Sequence, residues 1–282
     1  MSETVGILGN LAGALARAAA TLPCAAGRML RSERLESSAP AAVERNLQDI
    51  ARINRWFGGH RTLLKLLKEF VEPADHFSIL DAGAASGDMG KCIVKRYPNA
   101  KVTSLDRQPI HLRKAHPPKV AADAFALPFV NGTFDFVMCS FFLHHFSDSE
   151  IIDLLKEMRR VARRALIVLD LERHPLAYCF LPLTRLLFDW SDLTVHDGCI
   201  SVEAAFTRQE LASDPWSGPA SILGHYAPAF SLVSALAGCA GTTIVWVSPM
   251  TNLVQSTISY QGSQPTGSRC PLPAPPAGFA RG

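Results

Sequence analysis

A short apolar segment that ends in an acid and a glycine-containing turn constrains the fold of this chain more than any other feature. The segment Ile79-Leu80-Asp81 predicts a strand, and the turn after it carries Gly83 and Gly87. A second apolar segment ends in Asp106, roughly 20 residues beyond the glycines, where a doubly wound sheet places a ribose-binding carboxylate. The pattern predicts a nucleoside cofactor site at the edge of a mostly parallel sheet.

The glycine spacing separates two kinds of nucleotide site. A dinucleotide site needs Gly-x-Gly-x-x-Gly, so that a pyrophosphate lies on a helix N-terminus. Here Gly83 and Gly87 flank three other residues, the third glycine is missing, and Asp88 follows at once. An acid at this position would repel a pyrophosphate and would suit S-adenosylmethionine, which carries an ammonium and a sulfonium group. We expect Ala85, in the middle of the turn, to be accommodated by keeping a negative φ.

The chain resembles the class I S-adenosylmethionine-dependent methyltransferases of the ubiquinone/menaquinone-methyltransferase type. Besides the turn and Asp106, the segments 122–129 and 132–146 follow in the order and approximate spacing of that family. The resemblance implies an α/β fold with a doubly wound, mostly parallel, Rossmann-like sheet, an N-terminal helical cap and an irregular C-terminal tail. It also implies S-adenosylmethionine as the cofactor and methyl transfer to a small acceptor as the reaction.

The resemblance also implies a set of cofactor residues. The first acid and the loop glycines would face the methionine part, the acid that ends the second strand would bind the ribose hydroxyls, and an Asp-Ala pair would contact adenine. The predicted cofactor-binding residues are Asp81, Gly83, Ala84, Ala85, Gly87, Asp106, Arg107, Asp123, Ala124 and Ser140. No metal site is predicted.

His144 and His145 follow the fourth strand and are predicted to lie beside the transferable methyl group. One imidazole could remove a proton from a phenol or another weakly acidic hydroxyl, because its ordinary pKa lies near neutral pH. The alternative is that the pair caps the strand and packs over the cofactor. Holding the acceptor and the methyl group in line would then suffice for catalysis.

The apolar stretch 175–190 is aromatic, interrupted by Pro182, and too short to span a bilayer. It could pack in the core, cover an apolar substrate, or rest on a membrane or a partner. Together with Trp56 and Phe57 it predicts a hydrophobic pocket. The expected acceptor is therefore aromatic, quinone-like, polyketide or lipidic, with peripheral membrane contact as a further prediction.

The composition of the chain and the positions of its glycines and prolines divide it into five parts. These are an extension expected to be mobile (1–39), a helical cap (40–76), the cofactor-binding core (77–211), a C-terminal part (212–260) and a Pro/Gly-rich tail with the composition of a disordered segment (261–282). In the C-terminal part, Thr242 to Val247 and Leu253 to Tyr260 could form a hairpin around Pro249. The alternative is a segment foreign to the fold.

The charges and cysteines narrow the function further. The chain has 28 lysines and arginines against 25 acids, a net charge of +3, and the basic residues are dispersed, so no nucleic-acid partner is predicted. Its seven scattered cysteines form no C-x-x-C pair, which favours a reducing, cytoplasmic location. Two competing functions stay open, a cofactor-binding protein without turnover and a nicotinamide-dependent oxidoreductase.

Overall fold

In the computed structural model of the chain, the described residues are 27–207, 210, 225–226 and 243–249. The contacts of the chain divide it into a unit of residues 1–250 and a unit of residues 251–282. The whole second unit lies outside the described residues. The same holds for residues 1–26 of the predicted extension, for the predicted strand 253–260 and for the predicted tail 261–282.

The described strands form one twisted sheet in the order β3-β2-β1-β4-β5-β7-β6. Their bounds are β1 (Phe77–Ala82), β2 (Ala100–Asp106), β3 (Lys119–Ala121), β4 (Phe134–Ser140), β5 (Ala162–Leu171), β6 (His225–Tyr226) and β7 (Thr243–Pro249). Strands β1 to β5 are parallel, and β7 runs antiparallel to both β5 and β6. The prediction of a doubly wound, mostly parallel sheet is confirmed.

Helices precede the sheet and connect its strands. They are α1 (Pro40–Trp56), α2 (Gly59–Leu67), α3 (Asp88–Arg96), α4 (Asp148–Val161), α5 (Pro175–Phe188) and α6 (Asp192–Ala204). Helix α1 begins with Pro40 in its first turn, where the missing N–H costs nothing. Gly58, at φ +105°, separates α1 from α2, as the Gly-Gly pair predicts.

Apolar residues on both faces of the sheet form two buried clusters. Successive residues of a strand point to opposite faces, so Ile79 packs with α2 and α3, whereas Leu80 packs with α4. In β4, Met138 likewise packs on the same face as Ile79, and Val137 packs on the same face as Leu80. Because both faces are covered, the strands are apolar along their length, and polar side chains concentrate where the strands end.

The strand order reverses at β1, which lies between β2 and β4. At such a switch point the connections leave toward opposite faces, and a crevice opens beyond the carboxyl ends of the strands. Asp81, Asp106 and Ser140 stand at the ends of β1, β2 and β4. The fold thereby brings three predicted site residues to one edge of the sheet.

The C-terminal strands differ from the predicted hairpin. Strand β7 nearly coincides with the predicted segment 242–247, and its outer neighbour among the described residues is His225–Tyr226. Pro249 belongs to the strand, opposite Ala165, and not to a turn. The pairing of β7 with β5 along 165–171 places residues 243–249 in the sheet.

Part of the predicted mobile extension is tied to the core. The Arg28 side chain donates hydrogen bonds to Ala204 O at 2.7 Å and to Asp148 Oδ1 at 2.8 Å. The backbone N–H groups of Arg34 and Leu35 donate to the Asp197 carboxylate at 3.1 Å. The expectation of a mobile segment up to residue 39 is therefore wrong for residues 28–35.

A polar cluster connects the helical cap with the first turn of α3. Asp88 Oδ2 accepts a hydrogen bond from Asn54 Nδ2 at 3.0 Å and lies 2.8 Å from His60 Nε2. Burial disfavours the charge on His60, but hydrogen bonds with Asp88 and Cys92 outweigh burial and raise its pKa to about 9. Burial likewise opposes ionisation of Asp88, yet His60 and Asn54 lower its pKa. The cap is thus joined to the core by an ion pair.

We expect this ion pair to make stability depend on pH. Because the folded-state pKa of His60 is about 9 and its ordinary value is 6.5, the contribution is complete below pH 6.5 and is lost as the pH rises through 9. The ion pair contributes up to roughly 3 kcal/mol to the free energy of unfolding. Urea unfolding of the wild type and of His60→Gln should therefore differ most near pH 6 and least above pH 9. His76→Gln, at an exposed histidine, is the control, and a His60 effect that is independent of pH contradicts the assignment.

Candidate active site

A cavity of about 790 Å³ opens beyond the carboxyl ends of β1, β2 and β4. Its volume lies in the range of roughly 300–1,000 Å³ that small-molecule sites occupy. The predicted site residues that line it are Asp81, Gly83, Ala84, Ala85, Asp106, Arg107, Asp123, Ala124, Ser140, His144 and His145. Gly87 is not among the lining residues and instead begins α3, in the left-handed conformation at φ +64°.

Asp81 is a buried acid whose carboxyl group is not fully hydrogen-bonded. Its side-chain Oδ2 atom has no hydrogen-bond partner among the described residues. Burial and the neighbouring carboxylates of Asp88 and Asp106 raise the pKa of Asp81 well above its ordinary value, in spite of a hydrogen bond from the Gly90 backbone. A buried carboxyl with an unsatisfied oxygen in acidic surroundings is suited to a cationic ligand.

Close packing requires glycine at two positions of the loop after β1. A Cβ atom on Gly83 would lie 2.6 Å from the Phe142 ring, and one on Gly87 would lie 2.6 Å from the Ala115 side chain. Both residues also have positive φ, which L side chains rarely adopt. The backbone at Gly83 can therefore approach a ligand in the cavity without a side chain between them.

Ala85 does not keep the negative φ that we predicted. Its φ is +46°, in the left-handed region, where the Cβ atom crowds the following carbonyl oxygen at a cost of roughly 1–2 kcal/mol. The strained conformation aims the Ala85 N–H at Asp106 Oδ2, with a hydrogen bond of 3.0 Å. The loop and the second acid are thus held together.

Asp106 is fixed by three groups. Besides Ala85, the backbone N–H of Gln108 donates to Oδ1 at 2.9 Å, and His111 Nδ1 lies 3.2 Å from the same oxygen. Sequence reasoning missed His111, because a histidine five residues beyond a strand end carries no local signal. The carboxylate of Asp106 lines the cavity in a single orientation, as a residue that binds hydroxyl groups requires.

The other predicted cofactor residues differ in burial. Asp123 is exposed and accepts a hydrogen bond from Phe125 N at 2.9 Å, whereas Ala124 is buried beside it. Arg107 is exposed at the rim of the cavity. The Ser140 hydroxyl is buried without a hydrogen-bond partner among the described residues, so it is a second unsatisfied polar atom at the site.

Asp88 does not act as we inferred from the sequence. It lines the cavity, but its charge is paired with His60 and held by Asn54. It is therefore not a free negative charge that repels a pyrophosphate. Among the described acids that line the cavity, the one with a buried unsatisfied oxygen is Asp81, near the end of β1, and the preference for a cation rests on that residue.

His144 is buried and held by an acid that sequence reasoning missed. Its Nδ1 atom lies 2.6 Å from Asp170 Oδ1, and its backbone N–H donates to Asp170 Oδ2 at 3.1 Å. Burial disfavours the imidazolium form, but Asp170 outweighs it and raises the pKa of His144. Burial in turn opposes ionisation of Asp170, whose pKa His144 nevertheless lowers. The available signal was that Asp170, like Asp81 and Asp106, stands near the end of an apolar strand.

His145 and Glu33 complete this end of the cavity. The two imidazole rings are 4.3 Å apart between centroids, and His145 Nδ1 lies 3.8 Å from Glu33 Oε1. Burial and the charge of His144 lower the pKa of His145. Glu33 comes from the segment before α1 and was not singled out in the sequence, because only the fold brings it to the histidines.

An apolar wall closes the cavity on the side of α5. Ala177, Phe180 and Leu181 of that helix line it, and the ring centroid of Phe57 lies 4.6 Å from that of Phe180. Phe57 therefore contributes to the predicted hydrophobic pocket. Trp56 does not line the cavity; it is half exposed and packs on Phe188.

Helix α5 continues through Pro182 and buries none of its residues. Leu183, Leu186 and Leu187 are 81%, 98% and 78% exposed, on the part of the helix that does not line the cavity. Packing in the core, one of the three uses predicted for this stretch, therefore does not hold for 175–188, whereas Trp190, just beyond the helix, is buried. Within the described part of the chain, no helix is both long enough and apolar enough to cross a membrane.

Comparison with known proteins agrees with this geometry. Residues 79–165, from β1 into β5, match the family described as methyltransferase domain. Residues 79–165 thus form a methyltransferase domain, and S-adenosylmethionine is its cofactor, as the sequence predicts. The match includes Asp81, Asp106, Gly83 and the histidine pair, all of which line the cavity.

Three named proteins are similar to this chain. The ubiquinone/menaquinone biosynthesis C-methyltransferase UbiE of Paracoccus denitrificans is 30% identical over 145 residues, 47% of this chain and 55% of that protein. A demethylmenaquinone methyltransferase of Thermotoga maritima is 28% identical over 122 residues, 41% of this chain and 52% of that protein. The chain thus spans about half the length of these relatives. A crystal structure of a SAM-dependent methyltransferase from Aquifex aeolicus has a TM-score of 0.48 and 15% identity, covering 76% of this chain and 100% of that one.

The residues of the methyltransferase domain fit the cofactor. Asp81 offers an unsatisfied buried carboxyl oxygen to a cationic group, and Gly83 leaves the adjoining backbone bare. Asp106 offers an oriented carboxylate to hydroxyl groups. These features match the charge and the ribose of S-adenosylmethionine.

The strain at Ala85 predicts the effect of a small substitution. Ala85→Gly should raise the free energy of unfolding by up to about 1 kcal/mol, because it removes the left-handed penalty and adds only the smaller entropic cost of glycine. The matched control is Ala84→Gly, at a buried neighbour without positive φ, which should lower stability by about 0.5–1 kcal/mol. Urea denaturation of both variants checks this, and equal losses in both would contradict the assigned strain.

Proposed function

We propose that this chain transfers a methyl group from S-adenosylmethionine to a small, apolar or aromatic acceptor, by O- or C-methylation. The observation that carries the proposal is that the strand-end acids, the glycine loop, the histidine pair and the apolar wall of α5 all line the same cavity. When bound, S-adenosylmethionine supplies a methyl group on a positively charged sulfur. The residues of the chain then have to bind and orient the two molecules and assist loss of the acceptor's proton.

For the cofactor, we assign the methionine part to Asp81 and to the loop of Gly83, Ala84 and Ala85. Asp106 would bind the ribose hydroxyls, and its three hydrogen-bond partners support this role because they hold the carboxylate before a ligand arrives. Asp123 and the Ala124 backbone would contact the adenine, flanked by Arg107 and Ser140. Gly87 would act indirectly, by starting α3 behind the loop.

For the acceptor, the apolar wall of Phe57, Phe180 and Leu181 supports a hydrophobic molecule. The names of the two curated relatives refer to ubiquinone, menaquinone and demethylmenaquinone, which favours an aromatic, quinone-like ring. Contact with a membrane and a cytoplasmic location stay predictions. The exposed leucines of α5 are the residues that a membrane contact would use.

His144 and His145 would contact the reacting end of the acceptor. Asp170 fixes the ring of His144 through Nδ1, which leaves Nε2 as the atom that faces other groups. Both O- and C-methylation release a proton from the acceptor, so a site that favours this loss accelerates the reaction. The burial of His144 supports the role, because water is excluded where the two molecules would meet.

Titration of the purified chain with S-adenosylmethionine, S-adenosylhomocysteine and NAD tests the proposal. We expect micromolar binding of the two adenosyl ligands and none of NAD. Asp106→Ala should weaken this binding at least about tenfold, because hydrogen bonds to charged groups contribute roughly 1.5–3 kcal/mol. Asp153→Ala, at an exposed acid on α4, is the control and should leave the affinity unchanged.

The same samples distinguish the competing functions. Methylation of a quinol, a phenol or a lipidic hydroxyl compound supports the enzyme, whereas cofactor binding without any product supports the binding protein. Binding of NAD alone would establish the nicotinamide-dependent class. If Asp106→Ala binds like the wild type, the ribose assignment is wrong.

The raised pKa of Asp81 predicts that cofactor binding releases a proton. A cation beside Asp81 stabilises its ionised form, so S-adenosylmethionine should bind more tightly as the pH rises from the ordinary carboxyl range toward the raised pKa. Calorimetry in two buffers of different ionisation enthalpy measures the released proton directly. Asp81→Asn should abolish the release, and identical heats in both buffers for the wild type would refute the assignment.

A further inference from the structure

Three groups that commonly bind metal ions converge at the histidine end of the cavity. One ligand atom from each of Glu33, His144 and His145 lies within 4.8 Å of the other two. All three residues line the cavity, and His144 is buried. They come from two separate parts of the chain, the segment before α1 and the turn after β4, so the cluster is produced by the fold and not by a sequence motif.

The contact between His144 and Asp170 is the second observation that points to a metal. Metal-ligating histidines generally donate their other ring N–H to a carboxylate, which fixes the tautomer and the orientation of the ring. Here Asp170 Oδ1 lies 2.6 Å from Nδ1 of His144, and Asp170 Oδ2 also accepts the His144 backbone N–H. The Nε2 lone pair of His144 is thereby left as the coordinating atom, held rigidly in a buried position.

The separation of two of the ligand atoms is close to the value that an ion requires, and all three ligand atoms lie within 4.8 Å of one another. Bonds of about 2.0–2.1 Å in a tetrahedral site place ligand atoms roughly 3.3 Å apart. His145 Nδ1 and Glu33 Oε1 are 3.8 Å apart, so they need to approach by only about half an ångström. Glu33 Oε1 also accepts a hydrogen bond from Ser201 Oγ, so the closure involves a shift of the Glu33 carboxylate within this contact, whereas Asp170 holds His144.

The charges near the cluster favour a cation. Glu33 and Asp170 bring two carboxylates to the two imidazoles. The nearby guanidinium of Arg28 is itself bound to Asp148 and to the carbonyl oxygens of Ala204 and Phe146, so its charge is partly offset. Two imidazoles and one carboxylate suit Zn²⁺ or Fe²⁺, whereas Mg²⁺ prefers oxygen ligands alone.

We propose that Glu33, His144 and His145 bind a divalent transition-metal ion of the zinc class, with Asp170 as the positioning residue of His144. Three protein ligands leave a coordination position open toward the cavity, which is the arrangement of catalytic zinc sites. If the proposed function holds, that position suits an acceptor hydroxyl, and the class of acceptor narrows to phenols, quinols or related hydroxyl compounds. Metal binding itself does not depend on the proposed function.

The test uses the full chain, freed of metal with a chelator. Titration with Zn²⁺ against a chromophoric chelator should give one tight site, and Co²⁺ should give the visible spectrum of a nitrogen and oxygen site without thiolate bands. Glu33→Gln and His145→Ala should each weaken Zn²⁺ binding at least about tenfold, and Asp170→Asn by about 10–100-fold. His76→Ala, at an exposed histidine outside the cavity, is the matched control.

Circular dichroism and S-adenosylmethionine titration of every variant establish that it is folded. Loss of zinc with retained cofactor binding in Glu33→Gln or His145→Ala supports the metal site. The proposal is overturned if the wild type binds no Zn²⁺, if the two variants bind it like His76→Ala, or if thiolate bands show that cysteines hold the ion. A wild type that binds zinc but not S-adenosylmethionine contradicts the proposed function and leaves the metal site supported.

Discussion

Electrostatic repulsion among the carboxylates around the start of α3 governs the architecture of the site. Asp81, Asp88 and Asp106 meet at one edge of the sheet, and each is compensated differently. The carboxylate of Asp88 is hydrogen-bonded to His60 and Asn54, and that of Asp106 to two backbone N–H groups and His111. The carboxyl group of Asp81 keeps one oxygen without a hydrogen-bond partner among the described residues. The domain therefore stores an electrostatic penalty at the position that faces the cavity, and a positively charged ligand relieves that penalty.

The groups that compensate the charge of Asp88 also explain how the helical cap is attached to the core. The cap contributes Asn54 and His60, so the residues that neutralise Asp88 also join α1 and α2 to the glycine loop. Asp49 of α1 is another acid with this function. It is buried, accepts hydrogen bonds from Ser191 N and Thr194 Oγ1, and so joins the cap to α6. The cap thus forms part of the cavity wall through polar contacts that have defined geometry, and apolar packing alone does not determine its position.

The sequence predicts the parts of this structure that depend on local pattern. Strand ends, the glycine turn and most of the predicted residues that line the cavity follow from apolar runs that end in acids. The φ of Ala85 was mispredicted, because a hydrogen bond to Asp106 overrides its backbone preference. Glu33, His60 and Asp170 were missed because their roles depend on contacts between distant segments. The pairing of β7 with β6 was missed for the same reason, since strand pairing is not encoded locally.

Helix α5 contributes three residues to the cavity wall and yet buries none of its own side chains. Its side chains are exposed or half-buried, so substitutions there remove less packing than substitutions in the core do. The strand-end acids and the glycine loop, in contrast, stand in close-packed surroundings that tolerate few changes. Mutations can therefore accumulate on the acceptor side of the cavity while the cofactor side stays constant. Homologues of this chain can thus change their methyl acceptor without a change of fold.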